Sequence, residues 1–133
     1  MTTPKRILIV DDEELNRDLM EAMIASFGHV SELATNGPEA LEKLTPDFDL
    51  VLLDVMMPGM DGFEVAQKIR ENQEINDIPI IMVTGLSSQK DRLKAVKAGV
   101  NDFISKPVDR LELNVRTDSM LKIKEGQDAI KQH

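Results

Sequence analysis

Short, unbroken runs of Val, Ile and Leu recur along this chain, and each is followed by a stretch with helical spacing. The strongest runs cover residues 7–10, 50–53 and 78–83. An unbroken apolar run of that length suits a strand covered on both faces, as in a parallel sheet between layers of helices. Two weaker strands complete the set. Residues 30–35 alternate as an edge strand does, and residues 101–105 are short but carry Phe103 and Ile104.

The intervening segments carry helix signals. Leu15, Leu19, Ala22, Met23 and Phe27 are expected to line one face of a helix that stops at Gly28. Pro38 opens a short helix with Ala40, Leu41 and Leu44 inward, because proline is tolerated in a first turn. Residues 62–71 place Phe63, Ala66 and Ile69 on one side. Ser87 or Ser88 caps a fourth helix that uses Leu93 and Val96 and ends at Gly99, and a last helix starts near Val108. Strand–helix alternation with short connections gives right-handed crossovers. The expected fold is therefore α/β, a doubly wound (βα)5 three-layer sandwich of the flavodoxin-like kind. Its five-stranded parallel sheet takes the order 2-1-3-4-5.

Composition narrows the function. A chain of 133 residues suits one compact domain. Its net charge of −8 argues against nucleic acid as a direct partner, since phosphate backbones need a basic face. No cysteine is present, which removes disulfides and thiolate metal sites. The only histidines are His29 and His133, too few for an imidazole-built zinc site or a catalytic triad. No apolar run approaches the roughly 18 residues of a membrane span. Residues 1–6 carry no apolar signal core, so a cytoplasmic protein without a membrane partner is expected.

In a doubly wound sheet, ligands bind beyond the carboxyl ends of the strands. Asp11 and Asp12 follow strand 1, Asp54 follows strand 3, Thr84 follows strand 4, and Lys106 and Pro107 follow strand 5. Taken singly, each has a plainer reading. Asp11 and Asp12 serve as helix-capping acids, Asp54 as a turn former, Thr84 as a strand residue and Lys106 as a surface charge. Their convergence on one edge is what carries weight. Three carboxylates brought together must share a proton or a cation. An oxygen-only ligand set suits a hard divalent ion such as Mg²⁺. A remaining carboxylate is then free to act as a nucleophile, and a lysine and a hydroxyl can each hold one phosphoryl oxygen.

The ordered set 9–13 (Ile-Val-Asp-Asp-Glu), 54–62 (Asp-Val-Met-Met-Pro-Gly-Met-Asp-Gly), 83–85 (Val-Thr-Gly) and 98–107, ending Ser-Lys-Pro, resembles response-regulator receiver domains of two-component signalling. The likeness covers about residues 5–120. It implies that Asp54 accepts a phosphoryl group and that Asp12, Asp11, Asp54 and the backbone carbonyl of Met56 hold Mg²⁺. It also implies that Thr84 and Lys106 contact the phosphoryl group, that the Lys106–Pro107 bond is cis, and that Phe103 and Thr84 form a switch. The implied donor is a phosphohistidine on a sensor histidine kinase or histidine phosphotransfer protein, docking near helix 1 and the loop after strand 5. Asn16 and Arg17 are candidates for setting that specificity. The implied output is a remodelled helix 4–strand 5–helix 5 face that controls an output domain or effector. Relatives that dimerise through helices 4 and 5 make a phosphorylation-promoted homodimer one expectation. The domain would act on its own aspartate only, rather than as an enzyme on outside substrates.

Met56 and Leu86 are apolar where relatives often carry polar residues that place the hydrolytic water, so a long-lived acyl phosphate is expected. Residues 121–133 extend the last helix, with Met120, Ile123, Gln127 and Ile130 at coiled-coil spacing, as a linker to an output domain or as a frayed end. Gly126 weakens that helix by about 1 kcal/mol. The cluster also admits an aspartate-nucleophile phosphatase of the haloacid dehalogenase type, but that class expects a second aspartate where Met56 stands. A nucleotide carrier on the same fold would want a glycine-rich loop, not acids, after strand 1. A docking-only pseudo-receiver would lack part of the acidic cluster.

Overall fold

The computed structural model describes residues 4–85 and 88–131, with side chains to residue 128. Leu86, Ser87 and His133, and the side chain of Ile130, lie outside the described residues. The elements alternate strictly: β1 (Arg6–Val10), α1 (Glu14–Ser26), β2 (Val30–Ala34), α2 (Gly37–Lys43), β3 (Leu50–Leu53), α3 (Gly62–Glu71), β4 (Ile80–Thr84), α4 (Gln89–Ala98), β5 (Asp102–Ser105) and α5 (Arg110–Lys131). All strand pairs are parallel, and the order is β2-β1-β3-β4-β5. This is the doubly wound, flavodoxin-like sheet expected from the alternation.

Side-chain alternation along the strands divides the core in two. Leu8, Val10, Val51, Leu53, Ile80 and Met82 face α2, α3 and α4, where Ala40, Phe63, Ala66, Ile69 and Ala95 meet them. Ile7, Ile9, Leu50, Leu52, Ile81 and Val83 face α1 and α5, against Met20, Ile24, Leu113 and Leu121. Both faces of β1, β3 and β4 are therefore covered, which explains their unbroken hydrophobicity. β2 is an edge strand in which Ala34 alone is fully buried. Asn36 caps α2 by accepting from the Glu39 N–H at 2.8 Å, and Asp61 caps α3 through the Glu64 N–H at 2.9 Å.

Three expectations need correction. In α1 the buried residues are Met20 and Ile24, whereas Leu15 and Leu19 are 69% and 51% exposed. The apolar arc of this helix is wider than the stripe the sheet covers, and Leu19 borders an open groove beside Pro107 and Val108. In α4 the inward residues are Ala95 and Ala98, while Leu93 and Val96 point outward. The small alanines let the helix lie close to its neighbours. The third run becomes strand only from Ile80, because Pro79 has no N–H for the ladder, although its carbonyl accepts from Val51.

The C-terminal seam divides likewise. α5 runs through Gly126 to Lys131 without a break. Met120 is buried, but Ile123 is 43% exposed, and Leu121 and Lys124 take the inward positions. Lys5 pairs with Glu125 at 3.0 Å and Lys124 with Asp128 at 2.5 Å. This stretch of helix thus rests on the domain along a face other than the expected seam. The phase of α1 is open to direct test by urea unfolding. Ile24→Ala is expected to cost about 2–5 kcal/mol, as a cavity in the core does. Leu15→Ala is expected to stay within about 0.5 kcal/mol of the parent.

Candidate active site

Parallel strands bring their carboxyl ends to one edge, and the chemistry-bearing residues stand there. Asp11 leaves β1 fully buried, and its backbone N–H reaches across to the Ala34 carbonyl at the end of β2. Its Oδ1 accepts from the Glu13 N–H at 2.9 Å, an Asx turn that starts α1 and aims the other oxygen at the neighbouring strands. Asp54 follows β3, with its N–H bonded to the Val10 carbonyl at 2.9 Å and only 3% of its surface exposed. Asp12 is exposed at the rim. One oxygen from each of Asp11, Asp12 and Asp54 lies within 4.8 Å of the others.

Lys106 closes the cluster from β5. Its Nζ lies 3.2 Å from Asp11 Oδ2 and 3.3 Å from Asp54 Oδ1. Its backbone N–H bonds to the Thr84 carbonyl, which ties β5 to β4 at this edge, and the Lys106–Pro107 peptide is cis. Electrostatics here are unbalanced. Burial, reinforced by Asp11, pushes the Asp54 carboxyl above its ordinary range, and Lys106 and the Met56 N–H only partly offset the rise. Burial by itself would lower the Lys106 ammonium, but Asp54 and Asp11 together hold it above its ordinary value. Two buried carboxylates thus share one ammonium, with a third acid beside them.

The loop after β3 is positioned by close contact. Gly62 opens α3 against the backbone of Asp54 and Val55, and a Cβ there would overlap the Asp54 carbonyl. The Gly62 N–H donates to the Val55 carbonyl at 2.9 Å. Met57 is buried beneath this loop, whereas Met56 is 66% exposed and lines a cleft with Asp12 and Asp61. Thr84 is buried, and Phe103 is half-buried against the α2–α4 side of the core. The two face each other across a gap of about 10 Å³ that Val55, Phe63, Met82, Asp91 and Arg92 complete.

The family model for the response regulator receiver domain matches residues 7–118. The chain belongs to this family. It is 39% identical to the response regulator PleD of Caulobacter vibrioides over 128 residues, which are 96% of this chain and 28% of PleD. The chain spans half or less of the curated relatives it matches. A CheY-like receiver domain from Methanospirillum hungatei superposes with a TM-score of 0.85 at 31% identity, covering 94% of this chain and 99% of that one. The receiver domain of a Pseudomonas aeruginosa sensor histidine kinase, solved with magnesium coordinated in its active-site cleft, gives 0.81 at 31% identity, covering 90% and 99%.

In this receiver domain the five strand-end residues Asp11, Asp12, Asp54, Thr84 and Lys106 converge as the sequence reading expects. Arg17 is half-buried. Its Nη1 donates to the Asp11 carbonyl at 2.7 Å and braces the β1–α1 turn. Asn16, by contrast, lines the open groove beside Pro107. Gly62 escaped the sequence reading as well, because a glycine in a turn-rich loop gives no sign of what it touches.

The charge imbalance has a pH signature. The folded protein holds the Asp54 proton more tightly than the unfolded chain does. Stability without divalent cation is therefore expected to fall as pH rises from the ordinary aspartate range through the raised value. Asp54→Asn removes that term. In chelator at neutral pH its thermal midpoint is expected to lie a few degrees above the parent's, and added Mg²⁺ should narrow the difference. A lower midpoint would contradict this reading.

Proposed function

We propose that this receiver domain accepts a phosphoryl group on Asp54 from a phosphohistidine of a sensor histidine kinase or histidine phosphotransfer protein. The observation that carries the reading is Lys106 Nζ set between the buried carboxylates of Asp11 and Asp54, at 3.2 and 3.3 Å. An ammonium held there can follow an oxygen of an incoming phosphoryl group while still facing Asp11. Asp54 supplies the nucleophilic oxygen. Its O–P bond forms as the P–N bond to the donor imidazole breaks, and the imidazole leaves with the electron pair and takes up a proton. The Thr84 hydroxyl, at the end of β4, is the group that moves to a second phosphoryl oxygen.

The donor set fits Mg²⁺. Three carboxylates offer oxygens within 4.8 Å of one another, and the charge they leave unbalanced calls for a cation. Asp11, Asp12 and Asp54 with the carbonyl of Met56 would hold it, and it would neutralise phosphoryl oxygens as the lysine does. The groove lined by Asn16, Leu19, Met20, Met23, Pro107 and Val108, about 410 Å³ in volume, adjoins Lys106. It is mostly apolar and offers the donor's helix a seat beside the acceptor.

Movement of Thr84 empties space beside Phe103, which turns toward it and shifts the face formed by α4, β5 and α5. That face is the output, read by a linked domain, an effector or a second copy. We take residues 1–120 as the receiver and 121–133 as the stretch that leads to an output domain. Both belong in the cytoplasm on this reading, and the protein works on no substrate but its own aspartate.

Acetyl phosphate with Mg²⁺ tests the reading without a partner. Wild-type protein is expected to incorporate ³²P, Asp54→Ala none, and Lys106→Ala at least about tenfold less, in line with loss of a transition-state charge contact. Equal labelling of Asp54→Ala would overturn the assignment. The exposed, apolar Met56 leaves hydrolytic water without a polar anchor, so the label is expected to persist for minutes or longer. Loss within seconds would refute the long lifetime.

A further inference from the structure

Arg70, in the last turn of α3, joins several elements at once. Its Nε donates to the Gly99 carbonyl at 2.9 Å. Its Nη1 donates to the carbonyls of Asn76 at 2.9 Å and Ile78 at 2.7 Å, and its Nη2 to Asn101 Oδ1 at 2.8 Å. That same Oδ1 accepts from the Ile80 N–H, so one guanidinium joins the end of α3, the entry to β4, the end of α4 and the entry to β5. Gly99 leaves α4 with φ +97°, and a Cβ on it would lie 2.5 Å from Arg70 Cγ. The fit therefore needs glycine at this place for both its backbone and its closeness. Asp77 adds a nearby negative charge.

This junction lies at the edge of the sheet opposite the acidic cluster, because α4 runs antiparallel to the strands it joins. The two ends of α4 are held unequally. Its end is fixed by Arg70 and by the burial of Ala95, Ala98 and Val100. Its start is capped by Ser88 on the Asp91 N–H at 3.1 Å, and from Gln89 to Lys94 only Asp91 is even half-buried. The same first turns meet the switch. Asp91 and Arg92 line the small gap between Thr84 and Phe103, and the Arg92 guanidinium lies 5.8 Å from the Phe103 ring centre.

We propose that Arg70 is a positioning residue that pins the Gly99 end of α4, so that phosphorylation tilts this helix about that end instead of sliding or melting it. The inference rests on the phosphorylation reading above and adds the geometry of the response. At 1.5 Å rise per residue the helix is about 15 Å long, so a tilt of about 10° carries its first turn about 2–3 Å while the pinned end stays in place. The signal is thereby concentrated where Leu93 and the first turn face solvent.

Amide hydrogen exchange on the full chain, with and without beryllofluoride and Mg²⁺, tests it. In wild type the beryllofluoride-induced change is expected over residues 89–93, with residues 95–101 unaltered. In Arg70→Gln, exchange at 95–101 should rise about tenfold or more before any ligand, and the induced change should spread along the whole helix. Arg70→Lys keeps the charge but not the four-way fork, is the milder substitution should the glutamine variant fail to fold, and should show the same spread. A purely structural arginine would lower stability yet leave the boundary of the induced change where it was, and that result overturns the proposal. So does a wild-type change that is uniform from 89 to 98. Bound beryllofluoride is read separately by ¹⁹F NMR. Binding with the wrong exchange pattern overturns the pinning alone, whereas absence of binding to wild type overturns the phosphorylation reading and the tilt with it.

Discussion

Two buried carboxylates and one ammonium set the terms for everything at the carboxyl edge of this sheet. Asp11 and Asp54 are almost without solvent, and Lys106 lies within 3.3 Å of both. Burial raises the free energy of each charge, and one lysine cannot compensate two acids fully. The folded core supplies the energy that holds them in place. Each acid stands at the end of a strand whose residues are buried on both faces, and main-chain hydrogen bonds to Ala34 and Val10 fix where it emerges. The consequence is a site that favours an added positive charge and is already shaped to receive it.

That tension also explains how a small event can spread. A phosphoryl group placed between Asp54 and Lys106 changes the charge seen by Thr84, which lies one strand away in contact with the gap beside Phe103. The core on that side is closely packed, so a ring that moves displaces its neighbours instead of compressing them. The neighbours there are Asp91 and Arg92 of α4, the helix that is least buried at that end. Arg70 holds the other end. On the proposed pinning, stiffness at one end and looseness at the other would turn a local electrostatic change into a directed movement.

Much of this was legible in the sequence, for identifiable reasons. Unbroken runs at 7–10 and 50–53 suited doubly covered strands, and the strict strand–helix alternation pointed to a parallel, doubly wound sheet. Asp11, Asp12, Asp54, Thr84 and Lys106 were found because each stands at or just beyond the carboxyl end of a strand, so topology brings them to one edge. What was not legible depended on distances that no periodicity encodes. Leu15, Leu19, Leu93 and Val96 belong to apolar arcs wider than the covered stripe, so spacing could not say which part turns inward. Arg17 stood only as a candidate specificity residue and Arg70 carried no signal at all, yet both donate to backbone carbonyls far along the chain or across a turn. Gly62 matters through the Asp54 carbonyl it touches, a contact visible only in three dimensions.

The central claim is that Asp54, and no other acid of the cluster, takes the phosphoryl group. Borohydride reduction cleaves an acyl phosphate and converts the aspartyl residue that carried it to homoserine, which peptide mass spectrometry can locate. Wild-type protein treated with acetyl phosphate and Mg²⁺, then reduced, is expected to yield homoserine at position 54, with Asp11 and Asp12 unchanged. Homoserine at position 11 or 12, or at none of the three in protein that had taken up phosphate, would contradict the account.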